Sequence, residues 1–307
     1  MNQMEFEKAF STDEQCLNYL SQLRYENGFT CPKCNHDQYW INNRGLIVCK
    51  ICKYQQSATA GTIFHKSRIP LTLLFRVLWY IVVQKNGVSA SSIQRMLGLK
   101  KYSTAWTWLH KFRRLMTLPN REKLSGIVEV DETLIGGKHS GKRGRGAQGK
   151  ILVIIAIEKQ GRKTGRVRLA TIQDATKKSI NHFIIDNIER GSVVITDGWV
   201  GYNDLTRMKY IRQIEDKKIK LDDELILPNV HRVASLLKRW LLGTHQSYVS
   251  QDKLDYYLDE FSFRYNRRTS KSRGSIFYTL IKQAIVHESI NNTDIVNDSK
   301  IEIILDE

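Results

Sequence analysis

Four cysteines arranged in two pairs are the strongest constraint on how this chain folds. Cys31 and Cys34 form CPKC, Cys49 and Cys52 form CKIC, and fourteen residues separate the two pairs. Two such pairs can supply four thiolates to one tetrahedral zinc ion, and this spacing is typical of zinc ribbons. Because all four ligands are thiolates, no coordination position is left open for water, and the zinc is expected to be structural.

The alternatives for these cysteines are two disulfides or a redox-active pair. The N-terminus has no secretory signal, which favours an intracellular chain and argues against stable disulfides. No βαβ pattern surrounds either pair, which argues against a thioredoxin-like role. The fifth cysteine, Cys16, is predicted to lie buried in the first helix. The longest apolar runs are too short to cross a bilayer, so we expect a cytoplasmic, nucleoid-associated protein with no membrane partner.

The charge of the chain favours a polyanionic partner. The net charge is +17, and nucleic acid is the commonest partner of an intracellular protein with such an excess of cations. The charge is uneven, because residues 288–307 hold six acids and one lysine. We expect this acidic segment to be a solvated and partly disordered tail.

Residues 87–116 show the pattern of two helices joined by a short turn. Ser89 can cap the first helix, Gly98 ends it, and Ser103 or Thr104 can cap the second helix. A helix, a short glycine-containing turn and a second basic helix are typical of a helix-turn-helix. A packing hairpin with no role in DNA binding is the alternative.

The second helix of this pattern is basic in its last turn. We expect its apolar side chains to point inward and its cations to point outward toward DNA, namely Lys111, Arg113 and Arg114. The neighbouring zinc ribbon and the net charge favour this interpretation over the packing hairpin.

Two aspartates stand where predicted strands end. Asp131 follows the apolar segment GIVEV, and Asp197 follows GSVVIT. An acid in this position usually caps a turn, but two of them in one sheet suggest a carboxylate pair at one edge. Such a pair can bind a hard cation such as Mg²⁺, and two metals can activate a nucleophile and stabilise a leaving oxygen at a phosphodiester. In a strand, Glu129 lies on the same side as Asp131. It could be a further metal ligand, but we favour a peripheral charge.

The order of elements around these acids is that of a ribonuclease-H-like fold. A helix is predicted at 176–189, and strands are predicted at 127–131, 150–158, 165–173 and 192–197. The glycine-rich loop 136–150 lies beside the first acid and is strongly basic. We expect it to contact the DNA backbone through cations that include Lys142, Arg143 and Arg145, the alternative being a solvated loop.

The sequence resembles bacterial insertion-sequence transposases of the DDE superfamily, in the group with an N-terminal zinc ribbon. The resemblance covers nearly the whole chain, and it is carried by CPKC…CKIC, VDETLIGGK, ITDGWVGY, LLKRWLLGTHQ and LDEFSFRYNRR. It implies a multidomain α+β chain with a zinc ribbon and a helix-turn-helix, then a ribonuclease-H-like α/β catalytic domain with C-terminal helices. We expect the domains to be 1–66, 67–122 and 123–287, followed by the tail 288–307.

The resemblance also implies an activity. Members of the family bind terminal inverted repeats, cleave at the transposon ends and join the freed 3′-hydroxyl to target DNA, and both steps need Mg²⁺ or Mn²⁺. The partners implied are double-stranded DNA, both transposon ends and target, and a homodimer or larger homo-oligomer. A non-catalytic DNA-binding regulator, or a domesticated transposase, is the alternative function.

The resemblance assigns Asp131 and Asp197 as the first two catalytic acids, but the third position departs from the family pattern. DDE members place a Glu, and some relatives an Asn, near the start of the helix after the last strand, with a Lys about two turns further on. Lys238 fits that lysine, and His231 stands seven residues before it, where the third ligand is expected. Positions 231 and 238 share one helix face.

We therefore expect His231 to complete the metal site and Lys238 and Arg239 to meet phosphate. A neutral imidazole suits Mn²⁺ better than Mg²⁺. Asn229 and Glu224 are the alternative third ligands.

Overall fold

A computed structural model describes residues 1–117, 121–136, 150–161, 163–215, 227–246 and 249–297. The helices are α1 (Gln3–Ala9), α2 (Asp13–Arg24), α3 (Leu71–Val83), α4 (Ala90–Met96), α5 (Tyr102–Arg114), α6 (Lys177–Asn187), α7 (Pro228–His245), α8 (Leu254–Asn266), α9 (Arg273–Val286) and α10 (Asn292–Asn297). The strands are β1 (Tyr39–Ile41), β2 (Ile47–Cys49), β3 (Gln55–Gln56), β4 (Ile127–Ile135), β5 (Ile151–Gln160), β6 (Lys163–Ile172), β7 (Val193–Thr196) and β8 (Ile211–Ile214). None of the helices in these ranges has the length and apolar character needed to span a membrane.

The chain divides into two compact units. Unit 1 comprises Met1–Met116 and Ser270–Asp298, and unit 2 contains Thr117–Thr269. The helix predicted near 274–287 is α9, and it packs against α2 and α3 within unit 1. The predicted catalytic domain, 123–287, therefore ends too late in the chain.

A cluster of aromatic rings explains why α9 belongs to unit 1. The Phe6 ring of α1 lies 4.7 Å from Trp79 of α3 and 5.4 Å from Phe277 of α9, measured between ring centroids. Phe75 of α3 lies 5.9 Å from the same Phe277 ring. Buried aromatic pairs contribute more than their area alone, so this cluster holds α9 on the N-terminal helices.

The predicted N-terminal helix is two helices rather than one. Thr12 interrupts it, because its hydroxyl accepts a hydrogen bond from the backbone N–H of Gln15 at 3.2 Å and so begins a new helix. Cys16 lies buried in α2, as predicted, and burial raises the pKa of its thiol to about 12.

The helix-turn-helix segment differs from the prediction at its second helix. Ser89 caps α4 by accepting from the Ser92 N–H at 3.1 Å, as expected. Helix α5, however, begins at Tyr102, before the predicted caps, and Lys101 stands at its N-cap with no side-chain hydrogen bond. The turn between the two helices contains Gly98 with φ +62°, a conformation that favours glycine.

Two of the three cations predicted to point outward from α5 are buried. Lys111 is 7% exposed and Arg113 is 2% exposed, so their predicted orientation is wrong. Part of the cause is α10, which packs on α5 and carries the fully buried Ile295. The first part of the predicted flexible tail is therefore helical and packed.

Unit 2 contains a five-stranded sheet in the order β6-β5-β4-β7-β8. The first three strands are antiparallel neighbours, and β7 and β8 run parallel to β4. One apolar layer contains α6, and the layer on the other side contains α7 and α8. This arrangement is the ribonuclease-H-like fold class that the sequence predicted, with β8 as a strand that the prediction missed.

Helix α8 covers the open edge of β6. The Asp255 carboxylate accepts from the backbone N–H of Thr171 at 2.8 Å, and the Asn266 side chain accepts from Val167 N–H at 2.7 Å. Side chains of α8 thus take the place of a neighbouring strand and protect an edge that would otherwise pair with another chain.

Candidate functional site

The four predicted zinc ligands converge in unit 1. One Sγ from each of Cys31, Cys34, Cys49 and Cys52 lies within 4.8 Å of the other three. The Cys31–Cys52 and Cys34–Cys49 sulfur pairs are 3.5 and 3.6 Å apart. Zinc–sulfur bonds of about 2.3 Å in a tetrahedron place sulfurs about 3.8 Å apart, so the four thiols fit a structural zinc ion.

Each cysteine pair lies in the same type of backbone turn. The N–H of Asn35 donates to the Cys31 carbonyl, and the N–H of Lys53 donates to the Cys49 carbonyl. Both Asn35 and Lys53 have positive φ, 58° and 57°. Although desolvation opposes it, the N–H groups after Cys31 and the neighbouring thiols lower the pKa of this thiol to about 7. Although a backbone N–H opposes it, desolvation and the neighbouring thiols raise the pKa of Cys34 to about 12.

The two predicted catalytic acids lie at the junction of β4 and β7. These strands are parallel neighbours, and Glu129 pairs with Ile195 at the end of their register. Asp131 and Asp197 each stand two residues beyond this last pair, Asp131 within β4 and Asp197 directly after the end of β7. The prediction that Asp131 ends its strand is wrong, because β4 continues to Ile135 along its longer partner β5.

Both acids also face the same side of the sheet. Val128 and Val130 of β4 pack in the layer that contains α6, so the intervening Glu129 and the following Asp131 face the α7 side. On β7, Ile195 packs in the α7 layer, and strand alternation assigns the same side to Asp197, which directly follows the strand. Asp131 and Asp197 are both partly buried.

Glu129 is a buried cap of helix α7, which corrects its interpretation as a peripheral charge. The side chain is 1% exposed and accepts from the backbone N–H groups of Asn229 at 3.0 Å and Val230 at 3.2 Å. Its second oxygen accepts from the Asn229 side-chain amide at 2.6 Å. Leu227, at the N-cap, makes no side-chain cap, so a carboxylate from β4 satisfies donors that the helix leaves open.

Glu132 connects β4 to the turn that carries the second acid. The Tyr202 hydroxyl donates to the Glu132 carboxylate at 2.6 Å. Burial, and then the negative charges of Glu132, Asp131 and Asp197, raise the pKa of this tyrosine well above its usual value. The phenol therefore keeps its proton and remains a donor, and three carboxylates act on one buried hydroxyl.

Arg212 of the unpredicted strand β8 braces the same turn. Its guanidinium donates to the Asn203 side chain at 2.6 Å and to the Trp199 carbonyl at 3.1 Å. The Trp199 N–H in turn donates to the Asp197 carboxylate at 3.0 Å. The segment YIRQI does not alternate, and its isoleucines and tyrosine, which are common in strands, are the only sequence signal for β8.

The remaining predicted site residues lie on or near α7. His231, Lys238 and Arg239 are exposed, beside the buried row that includes Val230 and Leu237. Among the residues that the structure describes, Asp131, Asp197 and His231 do not form a three-ligand group of the kind the cysteines form.

The alternative third ligands have different positions. The side-chain amide of Asn229 donates to the Glu129 carboxylate, so Asn229 takes part in the cap of α7. Glu224 and the loop cations Lys142, Arg143 and Arg145 lie outside the described residues.

Lys238 lies near a second cation. Partial burial and then the charge of Lys150 lower the pKa of Lys238. Two ammonium groups that approach each other form a local excess of positive charge, which a phosphate would neutralise.

Comparisons with known proteins agree with this architecture. Residues 123–266 match the family model of the ISXO2-like transposase domain, and residues 11–55 match that of the transposase zinc-ribbon domain. The chain therefore contains an ISXO2-like transposase domain and a transposase zinc-ribbon domain. It is also 28% identical to a protein of the transposable element ISH50 from Halobacterium salinarum, over 283 residues that cover 84% of this chain and 92% of the relative.

The cysteine cluster of this transposase predicts one zinc ion per chain. Replacing Cys49 with alanine should remove the zinc, since three thiolates leave the tetrahedral site incomplete. Elemental analysis of the purified protein checks this, with Cys16→Ala as the control that keeps its zinc. Zinc-free wild-type protein, or full zinc content in Cys49→Ala, would contradict the assignment.

The Glu129 cap predicts a local loss of stability. Glu129→Ala removes the acceptor of one buried and two partly buried N–H donors. It should cost roughly 2–4 kcal/mol, since an unsatisfied buried group costs about 1–3 kcal/mol and a partly buried one can turn to water. Amide hydrogen exchange should accelerate at Asn229 and Val230, the two N–H groups bound to Glu129. The exposed Glu189→Ala is the matched control, and unchanged exchange in Glu129→Ala would refute the cap.

Proposed function

We propose that this transposase is a metal-dependent DNA strand transferase, with Asp131 and Asp197 as the carboxylates that hold the catalytic cation. In this account it binds the terminal inverted repeats of its element, cleaves at the ends and joins the 3′-hydroxyl to target DNA. The observation that supports the proposal most is that Asp131 lies on β4 and Asp197 directly follows its parallel neighbour β7, and that the charges of both act on the Tyr202 hydroxyl.

The donor set fits a hard divalent cation. Two carboxylates are the protein ligands that Mg²⁺ usually takes, with waters and substrate phosphate completing its shell, and Mn²⁺ accepts the same oxygens. A cation bound there would activate the attacking oxygen and neutralise charge on the phosphodiester.

The chain's own residues prepare the site for this chemistry. Tyr202 and Arg212 hold the turn after β7, so Asp197 is fixed beside Asp131 before any substrate binds. Electrostatic groups that are already oriented need no reorganisation during reaction, which is the larger part of their catalytic value. The cations Lys238 and Lys150 offer a place for a DNA phosphate on the same unit.

The third ligand is proposed to be His231, which completes the site when metal and DNA are bound. Helix α7 starts where Glu129 holds it, two residues before Asp131 on the same face of β4. His231 lies in the first turn of this helix, on the row that continues to Lys238. An imidazole ligand favours Mn²⁺ over Mg²⁺.

A DNA-binding regulator without catalytic activity is the second candidate. It is favoured by one observation, that His231 stands where an acid is expected and forms no three-ligand group with the two aspartates. In both candidates the partner is double-stranded DNA, bound by a homodimer or a larger homo-oligomer, with Arg239 beside Lys238 on phosphate.

The two aspartates give the most direct prediction of activity. Asp131→Asn and Asp197→Asn should each lower cleavage and joining roughly 10³-fold or more, since a bound cation supplies several kcal/mol of charge stabilisation. The assay incubates protein with a duplex of the element's end and Mg²⁺ or Mn²⁺, and it resolves cut and joined products. DNA binding should be unchanged, and the exposed Asp186→Asn is the matched control. Cutting at the wild-type rate in either variant would refute the assignment, and no cutting by the wild type would favour the regulator.

The histidine gives a prediction about metal choice. The wild-type enzyme should be more active with Mn²⁺ than with Mg²⁺, and His231→Glu should shift that preference toward Mg²⁺, because a carboxylate is the harder ligand. His231→Ala should raise the metal concentration needed for half-maximal rate while leaving DNA affinity unchanged. Identical metal dependence in wild type and both variants would exclude His231 from the site.

A further inference from the structure

Unit 1 contains a long stretch with no acidic side chain. From the residue after Asp37 to Met116 there is no Asp or Glu, and the same stretch holds thirteen lysines and arginines. Cations that are not neutralised by nearby acids create a positive potential wherever they reach the surface. The surface that they form on unit 1 depends on which of them the fold leaves exposed.

The C-terminal half of α5 does not provide that surface. Every residue from Thr107 to Arg113 is buried, so this part of the helix is enclosed on all sides and cannot lie in a DNA groove. The Lys111 ammonium lies 4.8 Å from the centre of the Trp108 ring, and α10 packs beside it. Burial lowers the pKa of Lys111, and the charge of Asp294 on α10 opposes this effect.

The N-terminal end of α5 has the opposite character. The turn between α4 and α5 and the first residues of α5 expose Arg95, Lys100, Lys101, Tyr102 and Ser103. The Tyr102 side chain is 50% exposed, which is unusual for a large aromatic ring in a helix otherwise packed in the core. Exposed cations that are followed directly by side chains able to hydrogen-bond match a nucleic-acid surface.

The arrangement of α4 and α5 makes this end the one that reaches a groove. The two helices pack on each other and are joined by a short turn with Gly98 in the left-handed conformation. In a helix-turn-helix the first residues of the second helix meet base edges, while neighbouring cations meet the phosphate backbone.

We propose that residues 95–103 form the surface with which unit 1 reads double-stranded DNA, an inference that rests on the proposed function. Arg95, Lys100 and Lys101 contact phosphates, and Tyr102 and Ser103 contact base edges. Helix α10 keeps DNA away from the other half of α5.

Binding measurements with the full zinc-loaded chain test this surface. Fluorescence anisotropy compares two duplexes of equal length and composition, one from the element's end and one scrambled, over a series of KCl concentrations. Lys100→Ala/Lys101→Ala should weaken binding to both duplexes and reduce the salt slope by about 2, one for each lost phosphate contact. Lys8→Ala/Lys271→Ala removes two other exposed cations of unit 1 and should change neither value.

Base reading has a separate signature. Tyr102→Ala and Ser103→Ala should lower the preference for the element's end over the scrambled duplex roughly tenfold, while binding to the scrambled duplex stays near the wild-type value. Acetylation of the wild-type chain, read by mass spectrometry, gives a test without mutation. DNA should protect Lys100 and Lys101 and leave Lys8 and Lys271 reactive.

Wild-type affinity and salt slope in Lys100→Ala/Lys101→Ala, or no protection of these lysines by DNA, would overturn the proposal. An enzyme that binds through other residues would still cut the end duplex, so the proposed function would survive that result. A chain that binds through residues 95–103 but never cuts would retain this surface and count against the proposed catalysis.

Discussion

The burial of the Glu129 carboxylate against the start of α7 is the interaction on which unit 2 depends. It joins the central strand β4 to the helix that carries His231 and Lys238 through three hydrogen bonds. Two further acids of β4, Asp131 and Glu132, lie two and three residues after Glu129, and each has its own role. Asp131 faces the proposed metal site, and Glu132 holds the turn after β7 through Tyr202. One strand therefore fixes the helix and the turn around the carboxylate pair.

The parts of this structure that the sequence predicted are those that depend on local pattern. The cysteine spacing predicts the zinc cluster because a knuckle is formed by a few consecutive residues, and the apolar runs before Asp131 and Asp197 predict two neighbouring strands. The role of Glu129 escaped prediction because its partners lie 100 residues away, and nothing near it in the chain marks Asn229 as its donor. Local pattern wrongly predicted an exposed Lys111, because long-range packing decides which face of a helix meets solvent. It also assigned α9 to the wrong domain, because the contacts of α9 with α2 and α3 are distant in sequence.

The two units divide the chemistry that this family of transposases needs. Unit 1 combines a zinc cluster with helices α4 and α5, whose exposed cations have no acids near them in sequence, which suits recognition of a polyanion. Unit 2 instead carries carboxylates on the central strand β4 and directly after the end of β7. Such a group of negative charges suits a cation rather than DNA itself. In the proposed mechanism, a cation bound to the two aspartates would offset the repulsion between their negative charges and the phosphates of the DNA substrate.

Anomalous X-ray scattering from crystals of the protein soaked with Mn²⁺ would test most directly whether Asp131 and Asp197 bind the catalytic cation. We expect a manganese peak bound by carboxylate oxygens of both Asp131 and Asp197, with a zinc peak at the four cysteines as the internal control. A zinc peak without manganese at the two aspartates, under saturating Mn²⁺, would show that these carboxylates do not form the catalytic metal site.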